Sequence, residues 1–210
     1  YENRLYRVAC GPNTDDYHWT ETLMKDRQTR NSFQGLSLHY YTVMGDWSNK
    51  GSATDFNESD WFTTMQKTLK MDEFIRKHSA IMDKYDPEKT KGLIVDEWGN
   101  WHDVEPGTNP GFLYQQNTLR DALVAAVNLN IFNNHCERVK MANIAQTVNV
   151  LQSVILTDED QIVRTPTYYV FKMYQVHHDA TLVPHKISSE EYAVEEKSIP
   201  ALNTSCSKDK

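Results

Sequence analysis

At 210 residues, with 39% hydrophobic and 24% charged residues, the chain is long enough for one large domain or two small ones with a real core. Its net charge of −7 argues against a non-specific nucleic-acid binder, which needs a basic face, and no polybasic stretch serves a membrane surface. No apolar run approaches the ~18–20 residues of a membrane-spanning helix, and the opening YENRLYRVACGP does not read as a signal peptide.

In chain order, the first apolar run is Leu5 to Cys10, read as a strand, followed by a short helix over Asp16 to Lys25. A second strand is expected over Gly35 to Tyr41. A long helix is expected over Ser59 to Tyr85, with Ser59 as its N-cap and Trp61, Met65, Leu69, Phe74, Ile75 and Met82 near helical spacing. Leu93 to Trp98 reads as the third strand. Phe112 to Ile131 is Ala- and Leu-rich and helical, Arg138 to Ile144 is the fourth strand, and Thr165-Pro166 opens a last helix. Residues 186–210 are charged and poor in helical periodicity.

Strand and helix in alternation predict an α/β fold with a parallel sheet. No Gly-x-Gly-x-x-Gly follows a strand and no phosphate-binding loop appears. Polar residues gather instead at the C-terminal ends of the strands: His39 and Tyr41, Asp96 and Glu97, Asn143 and then Gln146. A (β/α)8 barrel builds its active site at that end. Four strand–helix units make half of such a barrel, so the expected organisation is a partial (β/α)8 TIM barrel over residues 1–184. Residues 185–210 are expected to be a linker and the beginning of a second domain, with the chain cut at both ends.

Asp96 and Glu97 are adjacent, so strand alternation predicts that they point to opposite faces. Glu97, nearer the strand end, is the candidate for the site; a strand-end salt bridge is the competing reading. His39 and Tyr41 share a face and can donate hydrogen bonds to a carboxylate, or sit as satisfied core residues. Trp98 and Trp101 lie where loops build a pocket and suit the apolar faces of a sugar ring, or pack loops together. A metal site of His39, Glu97 and His135 lacks the paired histidines of metal-dependent barrels. His177-His178-Asp179 reads as a solvated helix end. Cys10, Cys136 and Cys206 are odd in number and far apart, which suggests neither a disulfide framework nor a metal site. Asn57-Glu-Ser59 and Asn203-Thr-Ser205 match the glycosylation sequon, a short pattern that arises by chance. The compartment stays open, cytoplasmic favoured over secreted.

SLHYYT at 37–42, VDEWGNWHD at 95–103, RVKMANIAQTVNV at 138–150 and TPTYYVFKMYQVHHDA at 165–180 together resemble the α-L-arabinofuranosidases of glycoside hydrolase family 51. RVACGPNTDDYHWTETLMK at 7–25 is similar to the family's segment after the fourth barrel strand. The resemblance implies a retaining glycosidase with strands 5 to 8 of the barrel here and the start of a C-terminal β-sandwich in the tail. It implies Glu97 as nucleophile, Tyr41 as the residue hydrogen-bonding near it, Gln146 as a sugar-binding glutamine, Trp101 as an aromatic wall and His39 as a nearby histidine. The implied partner is an arabinofuranosyl-containing glycan, with homo-oligomers when full length, no cofactor and no metal. The family's acid/base Glu lies in a Gly-Asn-Glu motif that this sequence lacks. It is expected upstream of Tyr1, leaving this stretch inactive alone. Alternatives are a related glycoside hydrolase of other sugar specificity, a non-catalytic carbohydrate-binding remnant, or a metal-dependent barrel hydrolase.

Overall fold

A four-stranded parallel sheet organises the chain in a computed structural model that describes residues 5–209. Its strands are β1 (Val8–Ala9), β2 (Gly35–Thr42), β3 (Gly92–Asn100) and β4 (Val139–Ile144), side by side in that order. Leu36 lies opposite Leu93, and Leu93 opposite Val139. Helices occupy each crossover: α1 (Tyr17–Lys25) and α2 (Arg27–Arg30), then α3 (Glu58–Thr68) and α4 (Lys70–Tyr85), then α5 (Leu119–Asn134). Residues 1–4 and 210, at the outer ends of the two expected regions, lie outside the described residues.

Period-two alternation decides what each face of β2 does. Leu36, Leu38 and Tyr40 are buried in the main core with Leu93, Val95 and Val139. Met24, Met71, Ile75, Met82 and Phe132 close over them from the helices. Each fully buried aliphatic side chain contributes roughly 1.5–3 kcal/mol. The alternate residues Ser37, His39 and Tyr41 belong to the opposite face. The segment after β1 lies close against this strand. Gly11 N–H donates to Ser37 Oγ at 2.7 Å, and a Cβ on Gly11 would fall 1.7 Å from the Ser37 carbonyl oxygen.

The long helix expected over Ser59 to Tyr85 is two helices. Asn57, not Ser59, caps the first, accepting from Asp60 N–H while the Asp60 carboxylate accepts from Asn57 N–H. Such a cap is worth about 1 kcal/mol. The break falls at Leu69, and its reason is tertiary. Phe62 and Met65 of α3 pack with Val124 and Ile199, whereas Met71, Ile75 and Met82 of α4 face the main core. α5 starts at Leu119 rather than Phe112, because Thr118 caps it and Pro110–Phe112 forms a separate 3-10 turn. The Leu5 to Cys10 run contributes only the two paired residues of β1.

Beyond β4, β5 (Ile155–Asp158) and β6 (Gln161–Arg164) form a hairpin that hydrophobic patterning did not reveal. Its turn carries Glu159 at φ 49°, with no glycine to mark it. α6 (Pro166–Tyr174) follows, opened by Pro166 as expected. In the tail, β7 (Thr181–Leu182) pairs antiparallel with β10 (Ser207–Lys208), and β8 (Glu191–Val194) with β9 (Lys197–Pro200). The tail is docked: Ile199 is buried against Phe62 and Val124, and Asn130 donates to Asn203.

Candidate active site at the ends of β2 and β3

Strand β3 does not keep its register. Ser37 opposes Ile94, but His39 opposes Glu97, so two steps along β2 match three along β3. On the other side Val95 opposes Ala142 and Trp98 opposes Ile144, again three against two. One extra residue therefore bulges from β3 between Val95 and Trp98, and a bulge re-aims side chains. The expectation that Asp96 and Glu97 point apart fails for this reason. His39 Nε2 lies 3.0 Å from Asp96 Oδ1, and His39 Nδ1 lies 3.5 Å from Glu97 Oε2. The two carboxylates flank one imidazole.

They differ in access. The Glu97 side chain is 48% exposed, whereas Asp96 Oδ1 is occluded and makes no well-angled hydrogen bond among the described residues. Tyr41 donates its hydroxyl to Glu97 Oε2 at 3.0 Å. Burial first, then the hydrogen bond and negative charge of Glu97, push the Tyr41 phenol well above its ordinary 10.0, so it stays a donor. Backbone bonds hold His39 from its other side: its N–H donates to Pro12 O at 3.2 Å and its carbonyl accepts from Thr14 N–H at 2.9 Å.

A row of aromatic rings begins at Tyr41. Tyr41 meets Trp101 edge to face at 5.0 Å between ring centroids, and Trp101 meets Trp47 in the same way at 5.5 Å. Lys50 Nζ lies 5.9 Å from the Trp101 ring. Trp47 and Lys50 carry no signal in the sequence, because they sit in the irregular loop after β2. Trp98, paired with Trp101 in the sequence reading, is elsewhere. It is fully buried inside β3, 5.2 Å from Phe132 and 6.2 Å from Phe171, and belongs to the core. Gly99 between them takes φ +139°, a conformation that side-chain-bearing residues rarely adopt.

Gln146 lies past the end of β4, exposed, with its N–H donating to Val150 O at 3.2 Å. Its side chain makes no hydrogen bond among the described residues. The chain brings His39, Tyr41, Glu97 and Trp101 together, with Gln146 on the loop leaving the neighbouring strand. His135 does not join them. It caps the end of α5, before β4 begins, and pairs with Asp72 at 2.7 Å. Among the described residues no group of three or more His, Cys, Asp or Glu side chains is arranged to hold a metal ion. His177 is also occupied, 2.7 Å from Ser207 Oγ. Cys10, Cys136 and Cys206 are exposed free thiols.

The chain is similar to known proteins along its length. Residues 96–208 match the family described as the alpha-L-arabinofuranosidase C-terminal domain. An intracellular exo-alpha-L-arabinofuranosidase of Bacteroides ovatus is 52% identical over 209 residues, covering 99% of this chain and 40% of that protein. An intracellular exo-alpha-(1->5)-L-arabinofuranosidase of Bacillus subtilis is 29% identical, covering 88% of this chain and 37% of that one. Among solved structures, the family 51 arabinofuranosidase of Xanthomonas axonopodis pv. citri superposes with a TM-score of 0.96 at 53% identity, over 100% of this chain and 42% of its own. A family 51 enzyme of Bifidobacterium longum, at 23% identity and a TM-score of 0.71, shares the fold over 92% of this chain and 41% of its own. The chain thus spans about two fifths of the length of the relatives it matches. Over that span, it belongs to the α-L-arabinofuranosidases of glycoside hydrolase family 51.

Proposed function

We propose that this chain supplies the nucleophile half of a retaining α-L-arabinofuranosidase, with Glu97 attacking the anomeric carbon of a terminal α-L-arabinofuranosyl unit. The observation that carries the reading is the exposed Glu97 carboxylate, held by the Tyr41 hydroxyl and flanked by His39, with Trp101 against the Tyr41 ring. Attack gives a covalent glycosyl-enzyme through an oxocarbenium-like transition state, and water then releases arabinose. Retaining chemistry needs a second carboxyl group ~5–5.5 Å away as proton donor and later base. Asp96 is poorly suited, since it lies beside Glu97 on the same strand with one oxygen occluded. The proton donor is assigned to the part of the relatives' length outside this chain, so residues 1–210 alone are inactive.

In the same reading the parallel sheet is the later half, strands 5 to 8, of a (β/α)8 barrel over residues 1–184, and residues 185–210 begin a β-sandwich. Trp101 and Gln146 line the sugar site, and His39 orients the carboxylates. The substrate is an arabinofuranosyl-containing glycan, and the working assembly is a homo-oligomer. Relatives described as intracellular favour the same compartment for this protein; no helix among the described residues is long and apolar enough to cross a membrane. The test uses the extended polypeptide, this chain lengthened to the full length of its relatives. Glu97→Gln should abolish release of 4-nitrophenol from its α-L-arabinofuranoside while leaving thermal unfolding unchanged. A near-normal rate would remove Glu97 from the role, and turnover by residues 1–210 alone would remove the external proton donor.

A further inference from the structure

Trp101 is the half-buried residue of a run whose neighbours are wholly buried: Asn100 is 0% exposed and His102 1%. Both neighbours bond to one carboxylate oxygen. Asn100 Nδ2 donates to Asp121 Oδ1 at 2.8 Å, and His102 Nε2 lies 3.0 Å from the same atom. The backbone on either side is fastened as well. Asn100 N–H donates to Gln152 Oε1 at 2.8 Å, and His102 N–H donates to Gln115 Oε1 at 2.8 Å.

Asp121 is itself buried and sits in the first turn of α5. Its other oxygen, Oδ2, accepts from Thr118 N–H at 2.6 Å, so the carboxylate cannot swing without breaking the helix cap. Its neighbour Arg120 reaches the loop that carries Trp47, donating to Ser52 O at 2.9 Å. That loop is joined to the Trp101 loop by Asp103, which accepts from Gly51 N–H at 3.1 Å. Both tryptophans of the aromatic wall are thus referred to one helical turn. A buried carboxylate whose lone pairs are taken by donors from two segments fixes their relative position, because losing any partner leaves an unpaired buried polar group.

We propose that Asp121 is a positioning residue for the arabinofuranosyl site: it touches no sugar, and it sets the Trp101 indole against Tyr41, the residue that holds Glu97, by locking both neighbours of Trp101 to α5. This rests on the reading of Trp101 as a sugar-facing wall. A capping role alone would stabilise α5 and leave substrate binding unchanged; the proposed role moves KM through Trp101.

The experiment is a double-mutant cycle in the extended polypeptide with the 4-nitrophenyl α-L-arabinofuranoside as substrate. Trp101→Ala should raise KM by about tenfold, the loss of one stacked face. Asp121→Asn should raise KM by about as much, with kcat changed no more than about threefold, and should add nothing further in the Trp101→Ala background. Equal KM effects of Asp121→Asn in both backgrounds, or no effect in either, would overturn the positioning role while leaving Trp101 as a wall. An unchanged KM in Trp101→Ala would remove the wall and the proposal with it. If Asp121→Asn does not fold, Asn100→Ala, which deletes one of the bonds to Asp121, takes its place in the same cycle with the same outcomes.

Discussion

Tyr41 and Glu97 meet across the β2–β3 pair, 56 residues apart in the chain, through a 3.0 Å hydrogen bond from phenol to carboxylate. In-register pairing would have set Tyr41 against a different part of β3. The bulge brings His39 opposite Glu97 and leaves Tyr41, two residues on, reaching back over the same carboxylate.

Removing that donor should cost transition-state stabilisation without unfolding the protein. A hydrogen bond to a charged group is worth ~1.5–3 kcal/mol, so Tyr41→Phe should lower kcat by roughly 10- to 100-fold in the extended polypeptide. Because burial and Glu97 raise the Tyr41 phenol above its ordinary 10.0, the phenol remains protonated well beyond neutral pH. The wild-type kcat/KM profile should therefore show no loss from Tyr41 ionisation up to pH 10, while Tyr41→Phe lowers the whole profile by a constant factor over the same range.

The two tryptophans of the β3 end should part company on mutation. Trp98→Ala excavates the core between Phe132 and Phe171 and should destabilise by about 3–5 kcal/mol in denaturant melts. Trp101→Ala should leave the melt within about 1 kcal/mol of wild type and act on KM instead. A large stability loss from Trp101→Ala would show that its ring holds the loops together.

His78 is a buried imidazole on α4, with Nε2 on the Thr14 carbonyl at 2.7 Å and Nδ1 on Thr20 Oγ1 at 2.8 Å. Nε2–H donates to the carbonyl, and in the neutral ring Nδ1 then accepts from the hydroxyl. Burial lowers its pKa below the ordinary 6.5. The unfolded chain therefore takes up a proton first as pH falls. The stabilisation is complete above pH 6.5 and is lost as pH drops from there through the folded value. Melting temperatures measured from pH 8 to pH 5 should fall, and His78→Gln should flatten that slope.

At the other end of the sheet, Arg138 is 3% exposed and bonds to Asp86 Oδ2 at 2.8 Å, to Asp83, and to the carbonyls of Lys91 and Asp86. Burial pushes the Asp86 carboxyl up, but bonds from Thr90, Lys91 and Arg138 prevail and hold it below the ordinary 3.8. Its contribution is present above that value and lost as pH falls through the lower folded one. Asp86→Asn should destabilise by about 3 kcal/mol at neutral pH, since it leaves a buried guanidinium short of charge, and should weaken the acid dependence. Urea melts at pH 7 and pH 3 give both quantities.

How much of this was legible depended on what each signal measures. Gly35 to Tyr41 was legible as a strand because a short bounded apolar run is a local signal, and their spacing of two put His39 and Tyr41 on one face. Pro166 marked the start of α6 for the same reason. The bulge could not be read, since it exists only relative to β2 and β4, and alternation therefore set Asp96 wrongly against Glu97. The break at Leu69 also escaped notice: its φ of −62° is helical, and only the different partners of Phe62 and Ile75 separate α3 from α4. Trp98 and Trp101 look alike on paper, but Trp98 lies within β3 and is core, whereas Trp101 lies past the strand end, beyond the turn of the backbone at Gly99. Trp47 meets Trp101 through loop geometry, which leaves no periodic trace.

The extra residue in β3 makes the position of Glu97 a matter of counting rather than of chemistry. Between Val95 and Trp98 the strand holds one residue more than either neighbour; against β4 an opposite shift between Leu93 and Ile94 offsets it, whereas against β2 it carries through to Asn100. Deleting Asp96 would restore in-register pairing with β2 and displace Glu97 relative to Tyr41, while putting β3 out of step with β4. Point substitutions at Asp96 shift the polarity around His39 by degrees, whereas a one-codon gap there is all or none. In this central strand the pairing with β4 and the placing of the carboxylate thus hang on the same residue count.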